Sequence, residues 1–81
     1  VPETDWPRIA VVGAGAVGCY FGGIFAIAGA PVTFIGRERQ VEALRAKGLT
    51  LDSVHFTRTF QVEASTDIAA ASGAALVLLC V

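Results

Sequence analysis

The sequence predicts an α/β domain built on a parallel sheet, and three observations carry that prediction. Short apolar runs rich in β-branched residues alternate with stretches of helical character. The runs Ile9–Val12 and Ala75–Val81 are apolar throughout, and Val32–Ile35 is so but for Thr33, the pattern of strands covered on both faces. A glycine cluster, Gly13, Gly15 and Gly18, sits where the first run gives way to the first helical stretch. With 81 residues there is room for one domain, near the limit of about 70–80 residues for an unaided core.

Each element follows from local chemistry. The lead-in, Val1 to Pro7, is polar, carries two prolines and reads as extended. It lacks the basic start and apolar stretch of a signal peptide. The first strand, Ile9–Val12, stops at Gly13. A helix follows over Ala16–Ala28, closed by Gly29, with Pro31 two residues beyond. The 28 residues from Ile9 to Gly36 hold no charge, which raises a membrane span as an alternative. A span needs about 18 or more apolar residues, and glycines and Pro31 break this run short of that. Gly18 and Gly22 nevertheless form the GxxxG spacing of membrane helix pairs.

The second strand, Val32–Ile35, ends at Gly36, and a second helix runs from Glu38 to Lys47. Val41 and Leu44 lie on one side of it, its charges form a solvated face, and Gly48 closes it. From Leu49 to Val62 the texture changes: Val54, Phe56, Phe60 and Val62 alternate with His55, Thr57, Thr59 and Gln61. That period of two predicts a small antiparallel excursion at the sheet edge, turning at Asp52-Ser53. A short helix is expected from Asp67 to Ser72, N-capped by Ser65 or Thr66 and ended by Gly73. The closing run, Ala75–Val81, reads as a central strand. Right-handed crossovers would set the first two helices on one face of the sheet and the third on the other.

Composition narrows the function. The chain is 54% apolar and 16% charged, against about 25% charged in an average domain, which excludes a disordered tail. A net charge of −1 argues against a nucleic-acid partner bound through a basic face. Cys19 and Cys80 lack both redox and zinc spacing and read as buried thiols. His55 reads as exposed on the hairpin, Arg58 as a strand-edge charge, and Asp67 as helix-start chemistry rather than a general base. There is no Met, and the last residues are an apolar run without a turn. The expectation is a piece of a longer protein.

Gly13-Ala14-Gly15-Ala16-Val17-Gly18 fits G-x-G-x-x-G. The pattern gains meaning from its place, after a strand and at the opening of a helix, with a second strand soon after. It predicts the N-terminal part of a Rossmann-type doubly wound sheet that binds a dinucleotide. Gly13 would permit the tight turn, Gly15 the approach of the pyrophosphate, and Gly18 the close packing of helix on strand. Unpaired N–H groups at the helix start would face the phosphates. The plain alternative is that the glycines serve only the turn.

The tip of the second strand bears on cofactor choice. NAD sites place Asp or Glu there, about 20 residues on, for the ribose 2′-OH. Here the residues are Ile35-Gly36-Arg37-Glu38-Arg39. Gly36 would leave space for a 2′-phosphate and Arg37 would offer it a planar fork, with Arg39 assisting. Two alternatives stay open: Glu38 turned inward to a 2′-OH, or Arg37 and Glu38 as ordinary helix-start residues.

Ile9 to Gly18, Tyr20-Phe21-Gly22-Gly23, Val32 to Arg37, Glu42 to Leu49 and Leu76 to Val81 together resemble the N-terminal domain of ketopantoate reductases. The resemblance spans most of the chain but only the first part of a family member. It implies NADP as cofactor, with Gly13, Ala14, Gly15, Ala16, Val17 and Gly18 at the pyrophosphate and Arg37 at the 2′-phosphate. It implies reduction of a 2-keto acid, 2-dehydropantoate above all, in pantothenate biosynthesis in the cytoplasm. No catalytic residue of the family maps onto these residues, since its Lys, Asn, Ser and Glu lie further on. Residues 1–81 would then be the N-terminal portion of a dinucleotide-binding domain, without the helical substrate domain and inactive alone. No metal, nucleic acid or membrane is expected, and a homodimer stays open. Cys19 departs from the small residue usual at its position. The rival readings are a non-catalytic NADP(H)-binding module and another hydroxyacid or sugar-acid dehydrogenase.

Overall fold

Four parallel strands form the main sheet of the computed structural model, which describes residues 6–52 and 56–80. The elements in order are β1 (Ile9–Val12), α1 (Ala16–Ile27), β2 (Val32–Ile35), α2 (Glu38–Lys47), β3 (Leu49–Asp52), β4 (Thr57–Phe60), β5 (Glu63–Ser65), a 3₁₀ helix (Ile68–Ala71) and β6 (Leu76–Leu79). The sheet order is β5-β2-β1-β6. Val11 of β1 sits in register between Phe34 of β2 and Leu78 of β6. This is the predicted doubly wound α/β architecture.

The period-two geometry of the strands divides the core. Ile9, Val11, Val32, Phe34 and Ala64 point to one face, where Val41 and Leu44 of α2 join the same apolar cluster. Helix α1 lies on that face too, with Gly22 against Phe34 and Val11. Ala10 and Ile35 point the other way and are buried where the 3₁₀ helix meets β1 and β2. The first two helices therefore share one face and the third covers the other, as right-handed crossovers require. Helix α1 ends in a Schellman motif: Gly29, at φ +108°, donates to the Ala26 carbonyl and Ala30 to that of Phe25.

Two expectations are corrected. The antiparallel pair β3–β4 is a separate two-stranded sheet, not an extension of the main edge. Leu49 and Leu51 are buried, and Gly23 of α1 opens the space that Leu49 fills, so the hairpin packs over the helix. The main-sheet edge is instead β5, whose three residues carry too short a pattern to read in sequence. The 3₁₀ helix is capped by Asp67, whose Oδ1 accepts from the Ala69 N–H at 2.9 Å. Ser65 caps nothing; its Oγ accepts from the Asp67 N–H in the preceding turn. Among the described residues β6 pairs with β1 alone, and its Leu79 is 73% exposed. The expectations for residues 1–5, Ser53, Val54, His55 and Val81 lie outside the described residues. No helix among the described residues is long and apolar enough to cross a membrane.

Candidate functional site

The glycine loop emerges at the C-terminal ends of the strands, between β1 and α1. Gly13 takes φ +106°, a conformation that disfavours a side chain, and a Cβ there would collide with the Cys80 carbonyl oxygen. A Cβ at Gly18 would collide with the Gly13 carbonyl oxygen and meet Val11 Cγ1 at 3.2 Å. Both glycines are thus demanded by the fold itself: one turns the chain, the other lets α1 descend onto β1. Gly22 extends that contact, since a Cβ there would stand 2.5 Å from the Phe34 ring.

Gly15 differs. Its backbone, at φ −82° and ψ −166°, is open to any residue, and a Cβ there would meet only Gln40 Nε2 at 3.9 Å. Among the described residues no other atom comes within 4 Å of that position. This residue is the N-cap of α1, yet no side chain caps the helix and no acidic residue lies in its first turn. Ala16, Val17 and Gly18 therefore carry N–H groups beyond the reach of intrahelical bonding, at the positive end of the helix dipole. The first bond of the ladder runs from the Cys19 N–H to the Gly15 carbonyl at 2.9 Å. These unpaired donors and the helix dipole favour an anionic group at this end of α1.

Cys19 does not disturb the loop. Its Sγ donates to the Ala14 carbonyl at 3.4 Å, and burial pushes the thiol up, so the protonated donor persists at neutral pH. Cys19 and Cys80 are both free thiols. Among the described residues no cluster of His, Cys, Asp or Glu could hold a metal ion.

The tip of β2 stands beside the loop. The Gly13 N–H donates to the Ile35 carbonyl at 2.8 Å, tying the two strand ends together. Gly36 is packed from two sides: a Cβ there would lie 2.8 Å from Ala14 Cβ and 2.7 Å from Gln40 Oε1. The clearance at Gly36 thus serves the contact between strand tip, loop and α2. Arg37 follows as the exposed N-cap of α2, and Glu38 opens the helix, where its carboxylate meets the dipole favourably. Gln40 Oε1 accepts from the Arg37 N–H at 3.2 Å. The fold brings Gly13 to Gly18 and Arg37 to one end of the sheet, and adds Gln40, which sequence reasoning missed. Its signal was the N3 position of a helix, where Gln commonly reaches back to the N-cap N–H.

A ketopantoate reductase PanE/ApbA family profile matches residues 9–81. The chain belongs to the ketopantoate reductase family. It is 41% identical over 61 residues to a 2-dehydropantoate 2-reductase of Pyrococcus abyssi, covering 75% of this chain and 20% of that protein. It is 43% identical over 47 residues to a Pyrococcus horikoshii protein of the same name, covering 58% and 16% respectively. A crystal structure of a PanE/ApbA family ketopantoate reductase from Ralstonia eutropha superposes with a TM-score of 0.86 at 49% identity. That match covers 91% of this chain and 25% of the neighbour. The chain therefore spans about a sixth to a quarter of the relatives it resembles.

Proposed function

We propose that this chain is the cofactor-binding part of an NADPH-dependent reductase of a 2-keto acid, with 2-dehydropantoate as the substrate. The observation that carries the reading is Gly15. The fold explains Gly13 and Gly18 by collisions and by φ, but among the described residues it leaves open space at Gly15, where only Gln40 Nε2, at 3.9 Å, comes within 4 Å of a Cβ. A bound pyrophosphate is what requires glycine there.

The chain's own residues bind and orient. The N–H groups at the start of α1 hold the pyrophosphate, with no acidic side chain in the first turn to oppose it. Arg37, at the tip of β2, offers its guanidinium to the ribose 2′-phosphate, and its exposure leaves the fork free to reach it. The Cys19–Ala14 and Gly13–Ile35 hydrogen bonds keep loop and strand tip in fixed relation. When bound, the cofactor supplies the hydride for the substrate ketone. No residue of this chain is assigned the proton donor.

The test is direct titration of the whole protein with NADPH and NADH, with turnover of 2-dehydropantoate followed at saturating cofactor. Tight NADPH binding with turnover is expected. NADPH binding without turnover of any 2-keto acid would leave a binding module. Tighter NADH than NADPH binding would transfer the ribose contact to Glu38.

A further inference from the structure

Gln40 is placed where three parts of the site converge. It occupies the third position of α2, and its Oε1 accepts the Arg37 N–H at 3.2 Å. The same oxygen lies 2.7 Å from where a Cβ of Gly36 would stand, while Nε2 lies 3.9 Å from where a Cβ of Gly15 would stand. The orientation of the amide follows from chemistry. A backbone N–H can only donate, so the oxygen must face Arg37 and the NH2 group must face the loop. No acceptor among the described residues engages Nε2. An oriented amide donor thus stands between the pyrophosphate cradle and the arginine at the strand tip, the gap that a cofactor's adenosine ribose has to bridge.

We infer that Gln40 is a second determinant of cofactor choice: Oε1 sets the position of Arg37, and Nε2 donates to the 2′-phosphate of the bound dinucleotide. This rests on the proposed NADPH reading and adds a ligand to it. The two halves of the amide are separable. Gln40→Glu keeps an oxygen for the Arg37 N–H, since Glu serves this capping position as well as Gln does. It replaces the donor by an anionic acceptor. Gln40→Met removes the oxygen and the donor together, without adding charge.

The experiment measures NADPH and NADH dissociation constants and thermal midpoints for the whole protein and both variants. For Gln40→Glu, an unchanged midpoint and an NADPH affinity lowered about ten- to a hundredfold are expected, with NADH altered less than about threefold. For Gln40→Met, a smaller NADPH-selective loss of about three- to tenfold is expected. Wild-type NADPH affinity in Gln40→Glu would overturn the inference and leave Gln40 as a cap alone. A loss in Gln40→Glu that Gln40→Met does not share would overturn it as bystander repulsion. Equal losses for both cofactors would overturn the assignment to the 2′-phosphate. Failure of the underlying reading shows elsewhere: wild-type protein binding neither dinucleotide, or preferring NADH, sinks both.

Discussion

Gly15 and Gly18 are one turn apart on the same loop, yet their glycines have different causes. Nothing in the fold opposes a side chain at Gly15, whereas a Cβ at Gly18 strikes the Gly13 carbonyl. Gly15→Ala is expected to lower stability by less than about 1 kcal/mol, the difference between Gly and Ala at an N-cap. It should lower dinucleotide affinity at least tenfold. Gly18→Ala is expected to destabilise by about 1–3 kcal/mol or more through overpacking. Denaturant melts beside nucleotide titrations separate the two, and equal destabilisation would refute the distinction. Arg37 makes a complementary case. A charge-assisted bond contributes about 1.5–3 kcal/mol, so Arg37→Ala should weaken NADPH binding about ten- to a hundredfold with NADH nearly unchanged. Equal losses for both cofactors would make Arg37 a structural support of the loop.

Among the elements, β5 owes its place to a neighbour more than to its own sequence. Only Ala64 of its three residues is buried, and the strand pairs with β2 at the edge of the sheet. Arg45 of α2 holds it, donating from Nε and Nη2 to the Ala64 carbonyl at 3.1 and 2.7 Å. Thr33 Oγ1 adds a bond to Glu63 Oε1 at 3.2 Å. Arg45→Leu keeps an apolar stem over the helix face and removes both donors. An overall loss of about 1–2 kcal/mol is expected, with amide exchange accelerating at β5 before β1 or β2. Uniform acceleration across the sheet would show that β5 is not held locally. Helix α1, by contrast, was legible from its glycines and its Schellman end. The hairpin β3–β4 was legible as a hairpin but not in its location, because alternation states which face is apolar and not what covers it.

For the molecule as a whole, the unburied apolar surface is the main property of residues 1–81 taken alone. Val17, Tyr20, Phe21 and Ile24 leave α1 with an exposed apolar stripe, and Leu76, Val77 and Leu79 lie open on β6. The backbone of β6 pairs with β1 on one side only among the described residues. An apolar strand edge of this kind templates association. Residues 1–81 expressed alone are expected to self-associate, and Leu79→Lys should reduce this by placing a charge on the exposed edge. Light scattering across a concentration series measures it. Undiminished association of the variant would move the sticky surface to the α1 stripe.

Sequence by itself determined the glycine loop, the β1–α1–β2 unit and the crossover handedness, because each depends on contacts between near neighbours in the chain. Gly13, Gly29 and Gly48 punctuate elements by backbone conformation, which is a local property. The tertiary structure decided which glycines the fold itself requires and which it does not, since this depends on what lies opposite. Cys80 faces Gly13 from 67 residues away in the chain, while among the described residues only the Gln40 amide comes within 4 Å of a Cβ at Gly15. It likewise decided that Leu49 fills the space at Gly23 and that Gln40 closes over Gly36. These are contacts between separate elements, and their geometry exists only once strands and helices have packed.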